Sequence, residues 1–298
     1  MELLRFLEGI RAPFPDTVFS LITHLGEETI SMIVICAFFW CINKRTAYII
    51  GIAYFLSGLT VQGMKICFRI ERPWVIDPEF RPVPSAIGNA TGYSFPSGHT
   101  QSATTLFGSL GAQTKQKPLK AACLLAAILV GFSRMYLGVH TLLDVVTAFL
   151  ISLLFIFLTV KTLADDSENR KRELVLSLFM VLYACAVIVI AMSLFCSGKI
   201  EQVYLSDCLK AAGAGVGFAV GMYVERIYIK FSVGAKNVLW QVFKFILGIV
   251  GVLLIKEGMK LLLGDSLAVD TVRYFLITIW VTTLFPLIIR RFFTDKAV

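Results

Sequence analysis

The sequence predicts an all-α fold, a polytopic integral membrane helix bundle with about eight or nine transmembrane helices. Hydrophobic residues make up 57% of the 298-residue chain and charged residues only 16%, too little polar surface for a soluble domain of this length. Several apolar runs reach about 20 residues, the length of a bilayer-spanning helix. Because backbone groups in lipid must bond internally, these runs predict helices, and they are too long and too continuous for a transmembrane β-barrel.

The apolar runs divide the chain into nine predicted spans. The first span is short, and Glu27 and Glu28 predict a break before it, because two carboxylates in the middle of a bilayer are costly. Residues 1–28 are therefore expected to form an interfacial or broken helical segment. The predicted spans are 29–42, 46–67, 99–114, 119–138, 140–162, 174–196, 209–229, 238–258 and 271–289.

Basic residues collect in alternate loops, for example Lys44–Arg45, Lys115–Lys120 and Arg290–Arg291. The positive-inside rule makes these loops cytoplasmic and turns the opposite helix ends outward. We expect a protein of a bacterial plasma membrane. The net charge of +8 follows from this topology and from the anionic lipid surface, so the bilayer and not nucleic acid is the expected partner. The oligomeric state stays open.

A first polar cluster ends the second predicted span. Lys65 and Arg72 are seven residues apart, about two helical turns, and Pro73 is expected to end their helix. Both side chains would then point to one site at the outer helix end, where fixed cations match the charge of a phosphoryl group. Taken alone, such a pair is more typical of interfacial anchors.

A second cluster, Pro-Ser-Gly-His at residues 96–99, opens the next span. Ser97 is a favoured N-cap residue, and Gly98 lets a ligand approach the backbone closely. The free N–H groups of a helix start bind anions, so Ser97 and Gly98 are candidate phosphate ligands. His99 lies in the first turn, where it can hand a proton to a leaving oxygen.

The third cluster combines an arginine, a histidine and an acid. His140 and Asp144 are spaced four residues apart and are expected to share one helix face. A carboxylate beside the imidazole fixes its tautomer and leaves the other nitrogen free to attack phosphorus. Arg134 can add the bidentate fork that phosphate prefers. A core histidine would explain His140 alone, but not the acid and the arginine that accompany it.

Together the stretches Lys-x6-Arg-Pro, Pro-Ser-Gly-His and Ser-Arg-x5-His-x3-Asp resemble the motif set of the type 2 phosphatidic acid phosphatase family. This family is also called the lipid phosphate phosphatases and is related to the vanadium haloperoxidases. The resemblance covers roughly residues 25–162. It implies an integral membrane lipid phosphatase that hydrolyses a lipid phosphomonoester or diphosphate through a phosphohistidine, with its active site on the outer face.

The resemblance also implies a role for each motif residue. His140 would be the nucleophile, Asp144 its orienting acid and His99 the general acid. Neither a metal nor another cofactor is needed in that scheme, and the expected substrate is a membrane lipid phosphate or a polyprenyl diphosphate. The phosphate oxygens would be held by Lys65, Arg72, Ser97, Gly98 and Arg134.

The predicted organisation is a phosphatase core at residues 29–163, after the segment 1–28, and additional transmembrane helices of unknown role at residues 173–298. Two alternative functions stay open. In a lipid phosphotransferase an acceptor alcohol would replace water at the phosphohistidine. An anion or lipid transporter would use the same basic cluster for passage, and Lys244, a lysine deep in a predicted span, favours that alternative.

Overall fold

The structure of the chain is a computed structural model that describes residues 1–88, 90–164, 169–234 and 237–292. Within these residues the secondary structure is helical and contains no strand, which confirms the predicted all-α class. The α-helices, in chain order, are α1 Glu2–Gly9, α2 Pro13–His24, α3 Glu28–Ala37, α4 Lys44–Phe68, α5 Pro73–Ile76, α6 Pro84–Ile87, α7 Gly98–Gln113, α8 Lys117–Tyr136, α9 Leu142–Thr162, α10 Arg170–Cys196, α11 Gln202–Val224, α12 Val238–Leu263, α13 Leu267–Ile279 and α14 Phe285–Phe292. Short π-helical turns follow three of these helices, at Phe38–Ile42, Glu225–Ile229 and Trp280–Leu284.

The helix lengths agree with a polytopic membrane protein. Among the described residues, seven helical stretches are long and apolar enough to cross a membrane. An eighth candidate is the pair Pro13–His24 and Glu28–Ile42, which is bent by 44°. Helix α7 matches the predicted span 99–114, but it has only 16 residues, fewer than the roughly 20 that cross a bilayer.

One compact unit comprises Met1–Met32 and Thr60–Thr162, and it contains all eight predicted site residues. In this unit α7 packs against α8 and α9, and α1 and α2 pack against α8. A small apolar core packs around the third motif, residues 133–144, and includes four residues of that motif. Its buried members are Leu4, Leu7, Phe80, Val83, Ala86, Ala90, Met135, Tyr136, Leu137, Val139 and Val145.

The second unit comprises Ile33–Leu59 and the described residues of Leu163–Val298. Helix α11 packs against α10 and α13. The contact with α13 needs a residue without a side chain, because a Cβ on Gly217 would lie 2.5 Å from the carbonyl oxygen of Phe275. The segment 33–59 is held by residues far along the chain. The indole of Trp40 donates to the carbonyl of Val281 at 2.9 Å, and Lys44 pairs with Glu225 at 2.7 Å.

Candidate active site

The first cluster departs from the predicted geometry. Helix α4 ends at Phe68, not at Pro73, because Arg69 takes a left-handed backbone conformation with φ of 51°. Residues 69–72 are a non-helical link, in which Arg72 is extended and precedes the short helix α5. Lys65 and Arg72 therefore do not share one helix. A residue further along the chain holds this link in place, since the N–H of Ser94 donates to the carbonyl of Ile70 at 2.8 Å.

The side chain of Arg72 makes four polar contacts within the site. It is only 5% exposed. Its guanidinium donates to the carbonyls of Thr91 at 2.6 Å, Gly92 at 2.9 Å and Val139 at 2.9 Å. The same group also contacts Nε2 of His140 at 2.9 Å. Since a guanidinium only donates, Nε2 must be the acceptor and carry the lone pair of a neutral ring.

His140 precedes helix α9 and does not lie on it, so the prediction that His140 and Asp144 share a helix face was wrong. The start of α9 is a capping box. The N–H of Thr141 donates to Oδ2 of Asp144 at 2.7 Å, and the N–H of Asp144 donates to Oγ1 of Thr141 at 3.3 Å. Because Thr141 is the cap, the first helical residue is Leu142, and His140 lies in the loop before the helix. The pair still meets, with Nδ1 of His140 3.4 Å from Oδ2 of Asp144.

The environment of His140 keeps its ring neutral. Burial, and after it the positive charges of Arg72 and Arg134, lower the pKa of His140 well below its usual value. The hydrogen-bond partners assign the tautomer, with the proton on Nδ1 beside Asp144 and the lone pair on Nε2. A neutral imidazole with an accessible lone pair is the form that attacks phosphorus.

The second motif forms the start of helix α7 as predicted. Ser97 is the N-cap, and its hydroxyl oxygen accepts from the N–H and hydroxyl of Thr100 at 3.4 and 2.9 Å. The N–H of Ser97 donates to the carbonyl of Asp144 at 3.1 Å, which joins the second motif to the third. A Cβ on Gly98 would meet no atom within 4 Å, so a ligand has room beside the backbone at this residue.

His99 and Arg134 each carry an unpartnered buried nitrogen. Among the described residues, Nε2 of His99 and Nε of Arg134 are buried without a hydrogen-bond partner. The other end of Arg134 is held, because Nη1 donates to Oγ1 of Thr23 at 2.8 Å. Buried nitrogens of this kind are rare in proteins and often mark a functional site.

Electrostatics connects Lys65 with the other clusters. Lys65 lies on the last turn of α4 and is half-buried. Its charge acts on both His99 and His140, as do the charges of Arg72 and Arg134. The structure therefore gathers the two histidines and the three predicted phosphate-binding cations into one region of the first unit. The third histidine, His24, is exposed and pairs with Glu27 at 2.6 Å.

Sequence analysis missed two hydroxyl residues of the site. Ser94 is fully buried and donates to Oδ2 of Asp144 at 2.6 Å. The cap residue Thr141 had a readable signal, since Thr-x-x-Asp before an apolar run is a capping-box pattern. Ser94 had no such signal, because its partner is 50 positions further along the chain.

Two family models match the chain. Residues 46–168 match the PAP2 superfamily. Residues 209–297 match the transmembrane extension of PAP2 superfamily phosphatases. Between them the two matches span most of the chain, and the first contains the three motifs. The chain belongs to the PAP2 superfamily and is a membrane lipid phosphatase of that family.

The chain is also similar to individual proteins. Phosphatidylglycerophosphatase B of Bacillus subtilis is 29% identical over 184 residues, which are 55% of this chain and 82% of that protein. Two solved structures are similar to part of the chain. LpxE of Aquifex aeolicus has a TM-score of 0.48 at 28% identity and matches 54% of this chain and 93% of its own. A PAP2-type phosphatidylglycerolphosphate phosphatase of Bacillus subtilis has a TM-score of 0.46 at 27% identity. That match covers 56% of this chain and 85% of the other.

Replacing Ser94 by alanine tests the hydroxyl that sequence analysis missed. A hydrogen bond to a charged group contributes about 1.5–3 kcal/mol, so we expect Ser94→Ala to lower kcat/KM by roughly tenfold or more. The matched control is Ser85→Ala in the same connection between α4 and α7, because the Ser85 hydroxyl is exposed and contacts only Ser20 at 2.9 Å. Equal activity of the two purified variants would show that Ser94 does not support the site.

Proposed function

We propose that this protein hydrolyses a lipid phosphomonoester or diphosphate through a phosphohistidine on His140, without a metal. The observation that carries the proposal is the hydrogen bond from Arg72 to Nε2 of His140, 2.9 Å long. It presents the nucleophilic lone pair next to the cation that would hold a phosphate oxygen. Among the described residues, the unpartnered nitrogens of His99 and Arg134 support the same ligand chemistry.

In the first step Nε2 of His140 attacks phosphorus, and the bond from phosphorus to the lipid oxygen breaks. His99 gives its proton to that oxygen, so the lipid leaves as an alcohol, or as a monophosphate when the substrate is a diphosphate. Asp144 accepts from Nδ1 and stabilises the positive ring that forms. In the second step His99 takes a proton from water, water attacks phosphorus, and the bond from phosphorus to Nε2 breaks.

The phosphoryl oxygens carry the charge that develops during both steps. Arg72, Arg134 and Lys65 would match it as cations. Gly98 would add an N–H donor from the start of α7, and Ser97, whose own N–H is bonded to Asp144, would contribute its hydroxyl hydrogen. The open space beside Gly98 supports this role. The buried position of Arg72 and Arg134, 5% and 1% exposed, strengthens each interaction because little water screens it.

The substrate would be a lipid phosphate of the surrounding membrane. The Bacillus relative is a phosphatidylglycerophosphatase, which makes phosphatidylglycerol phosphate a candidate here. Polyprenyl diphosphate, phosphatidate and sphingoid phosphates are the others, and phosphate release against this panel separates them. We propose residues 29–163 as the phosphatase core, 1–28 as an interfacial or broken helical segment and 173–298 as additional transmembrane helices. Residues 89, 235–236 and 293–298 of these ranges lie outside the described residues.

The two alternatives stand differently against the contacts. A transporter was favoured by Lys244, but the Lys244 amine donates to the carbonyl of Val233 at 2.8 Å, which gives it a local structural partner. A phosphotransferase would share the first step and would differ only in the acceptor. Release of inorganic phosphate, measured with and without an added lipid alcohol, distinguishes it from a hydrolase.

Removing the nucleophile tests the mechanism directly. We expect His140→Ala to lower phosphate release at least about a thousandfold, because the variant loses the ring nitrogen that lies beside Arg72 and would attack phosphorus. The assay is run in EDTA, in which the wild-type protein should keep most of its activity. An active His140→Ala protein would contradict the phosphohistidine, and strong inhibition by EDTA would contradict a metal-free reaction.

The role of His99 is tested with two leaving groups. Loss of a general acid lowers the reaction rate about 10²–10⁴-fold when the leaving oxygen needs a proton. We therefore expect the kcat/KM of His99→Ala to fall that much with a lipid phosphate, but less than about tenfold with an aryl phosphate, because kcat/KM reports the first step and the phenolate leaves unprotonated. His140→Ala should lose both activities. Equal losses of His99→Ala with both substrates would exclude proton donation by His99.

The orientation of the site is tested in sealed membrane vesicles. If the motifs face outward, right-side-out vesicles should hydrolyse a membrane-impermeant phosphate ester without detergent, whereas inside-out vesicles should need detergent. Activity after detergent treatment gives the total for each preparation. The reverse pattern would place the site on the cytoplasmic face.

A further inference from the structure

Residues 23–27, the last two residues of α2 and the turn before α3, lie against two residues of the candidate site; we call this segment the turn. It precedes residues 46–168, the stretch that matches the family model, and it belongs to the same compact unit as the site. Three consecutive backbone hydrogen bonds form the turn, from the N–H groups of residues 25, 26 and 27 to the carbonyls of residues 22, 23 and 24.

The first contact of the turn is with Arg134. The hydroxyl oxygen of Thr23 accepts from Nη1 of Arg134 at 2.8 Å. Thr23 is 7% exposed and Arg134 is 1% exposed, so water competes little for this bond. Because Nε of Arg134 is the buried atom without a partner, the Thr23 bond fixes one end of the guanidinium while the Nε edge is left for a ligand.

The second contact is with His99. A Cβ on Gly26 would lie 2.7 Å from the carbonyl oxygen of His99 and 3.1 Å from its Cβ. It would also lie 2.8 Å from Cγ1 of Val130 on α8. Backbone atoms cannot move aside as a flexible side chain does, so only glycine lets the turn pack directly against the first turn of α7.

A further hydrogen bond holds the following helix against α7. The hydroxyls of Ser31 and Ser102 are 2.8 Å apart, and both side chains are buried. Ser102 lies three residues after His99, about one helical turn. The start of α3 is thereby fixed to α7 beside the turn, which limits how far the turn can move from the site.

We propose that residues 23–27 are a positioning element of the phosphate site, in which Thr23 orients Arg134 and Gly26 sets the place of His99. Neither residue reaches the reacting atoms in this assignment; each acts through the motif residue that it contacts. The inference rests on the proposed function for its catalytic readouts, and phosphate affinity tests it separately.

The Thr23 contact is tested by isosteric replacement. Thr23→Val keeps the shape of the side chain and removes the acceptor, so we expect KM and the inhibition constant of inorganic phosphate to rise about five- to tenfold. The turnover number should change less. Thr23→Ser, which keeps the hydroxyl, should regain most of the loss. The control is Thr17→Val, because the exposed Thr17 hydroxyl on α2 donates only to the carbonyl of Pro13.

A double-mutant cycle separates positioning from general stability. If Thr23 acts through Arg134, Thr23→Val should not weaken phosphate inhibition further in an Arg134→Ala background. Additive losses, or a single Thr23→Val variant with wild-type KM and phosphate inhibition, would overturn the assignment of Thr23. Phosphate inhibition reports binding alone, so it stays informative even if His140→Ala disproves the phosphohistidine.

The Gly26 contact is tested with the same two leaving groups as His99. Gly26→Ala should lower kcat/KM on a lipid phosphate more than about tenfold, and kcat/KM on an aryl phosphate much less, because kcat/KM reports the first step, in which the displaced His99 serves only the poor leaving group. Gly9→Ala is the matched control, since a Cβ on Gly9 meets no atom within 4 Å. Equal losses on both substrates, or no loss on the lipid phosphate, would overturn the assignment of Gly26.

Discussion

The buried guanidinium of Arg72 determines how three chain segments meet at the site. A buried cation is stable only when its N–H groups are bonded, and here the acceptors come from Thr91, Gly92 and Val139 as well as the His140 ring. The link after α4, the segment that holds Thr91 and Gly92, and the turn before α9 must therefore converge. Lysine cannot replace this geometry, because it has no planar fork that reaches several acceptors.

Sequence periodicity and residue chemistry predicted the helical class and the residues that the structure gathers around His140. The apolar runs were long enough to identify helices, and phosphate chemistry explains cations and histidines at helix ends. The helix boundaries were less predictable. Helix α4 ends early at Arg69, and the Thr141 cap delays the start of α9. Both depend on hydrogen bonds or backbone conformations that hydrophobic periodicity does not contain.

Contacts between distant residues were the other part that the sequence did not reveal. Ser94 and Thr23 reach their partners only after folding, and neither belongs to a recognisable local pattern. The N-terminal segment shows the same limitation. It was expected to be an interfacial or broken helical segment, and no pattern predicted that Arg11 donates to the carbonyl of Tyr136 at 2.9 Å, within the third motif. A carbonyl acceptor leaves no trace in the sequence, because every residue has one.

The make-up of the second unit has a consequence for the order of assembly during synthesis. Residues 33–59 leave the ribosome more than a hundred positions before the residues that bury Trp40 and pair with Lys44. Until the C-terminal helices are synthesised, Lys44 therefore lacks its partner Glu225, and the indole of Trp40 lacks the carbonyl of Val281. Cutting the chain after α9 would leave them permanently in that state, although every motif residue would still be present.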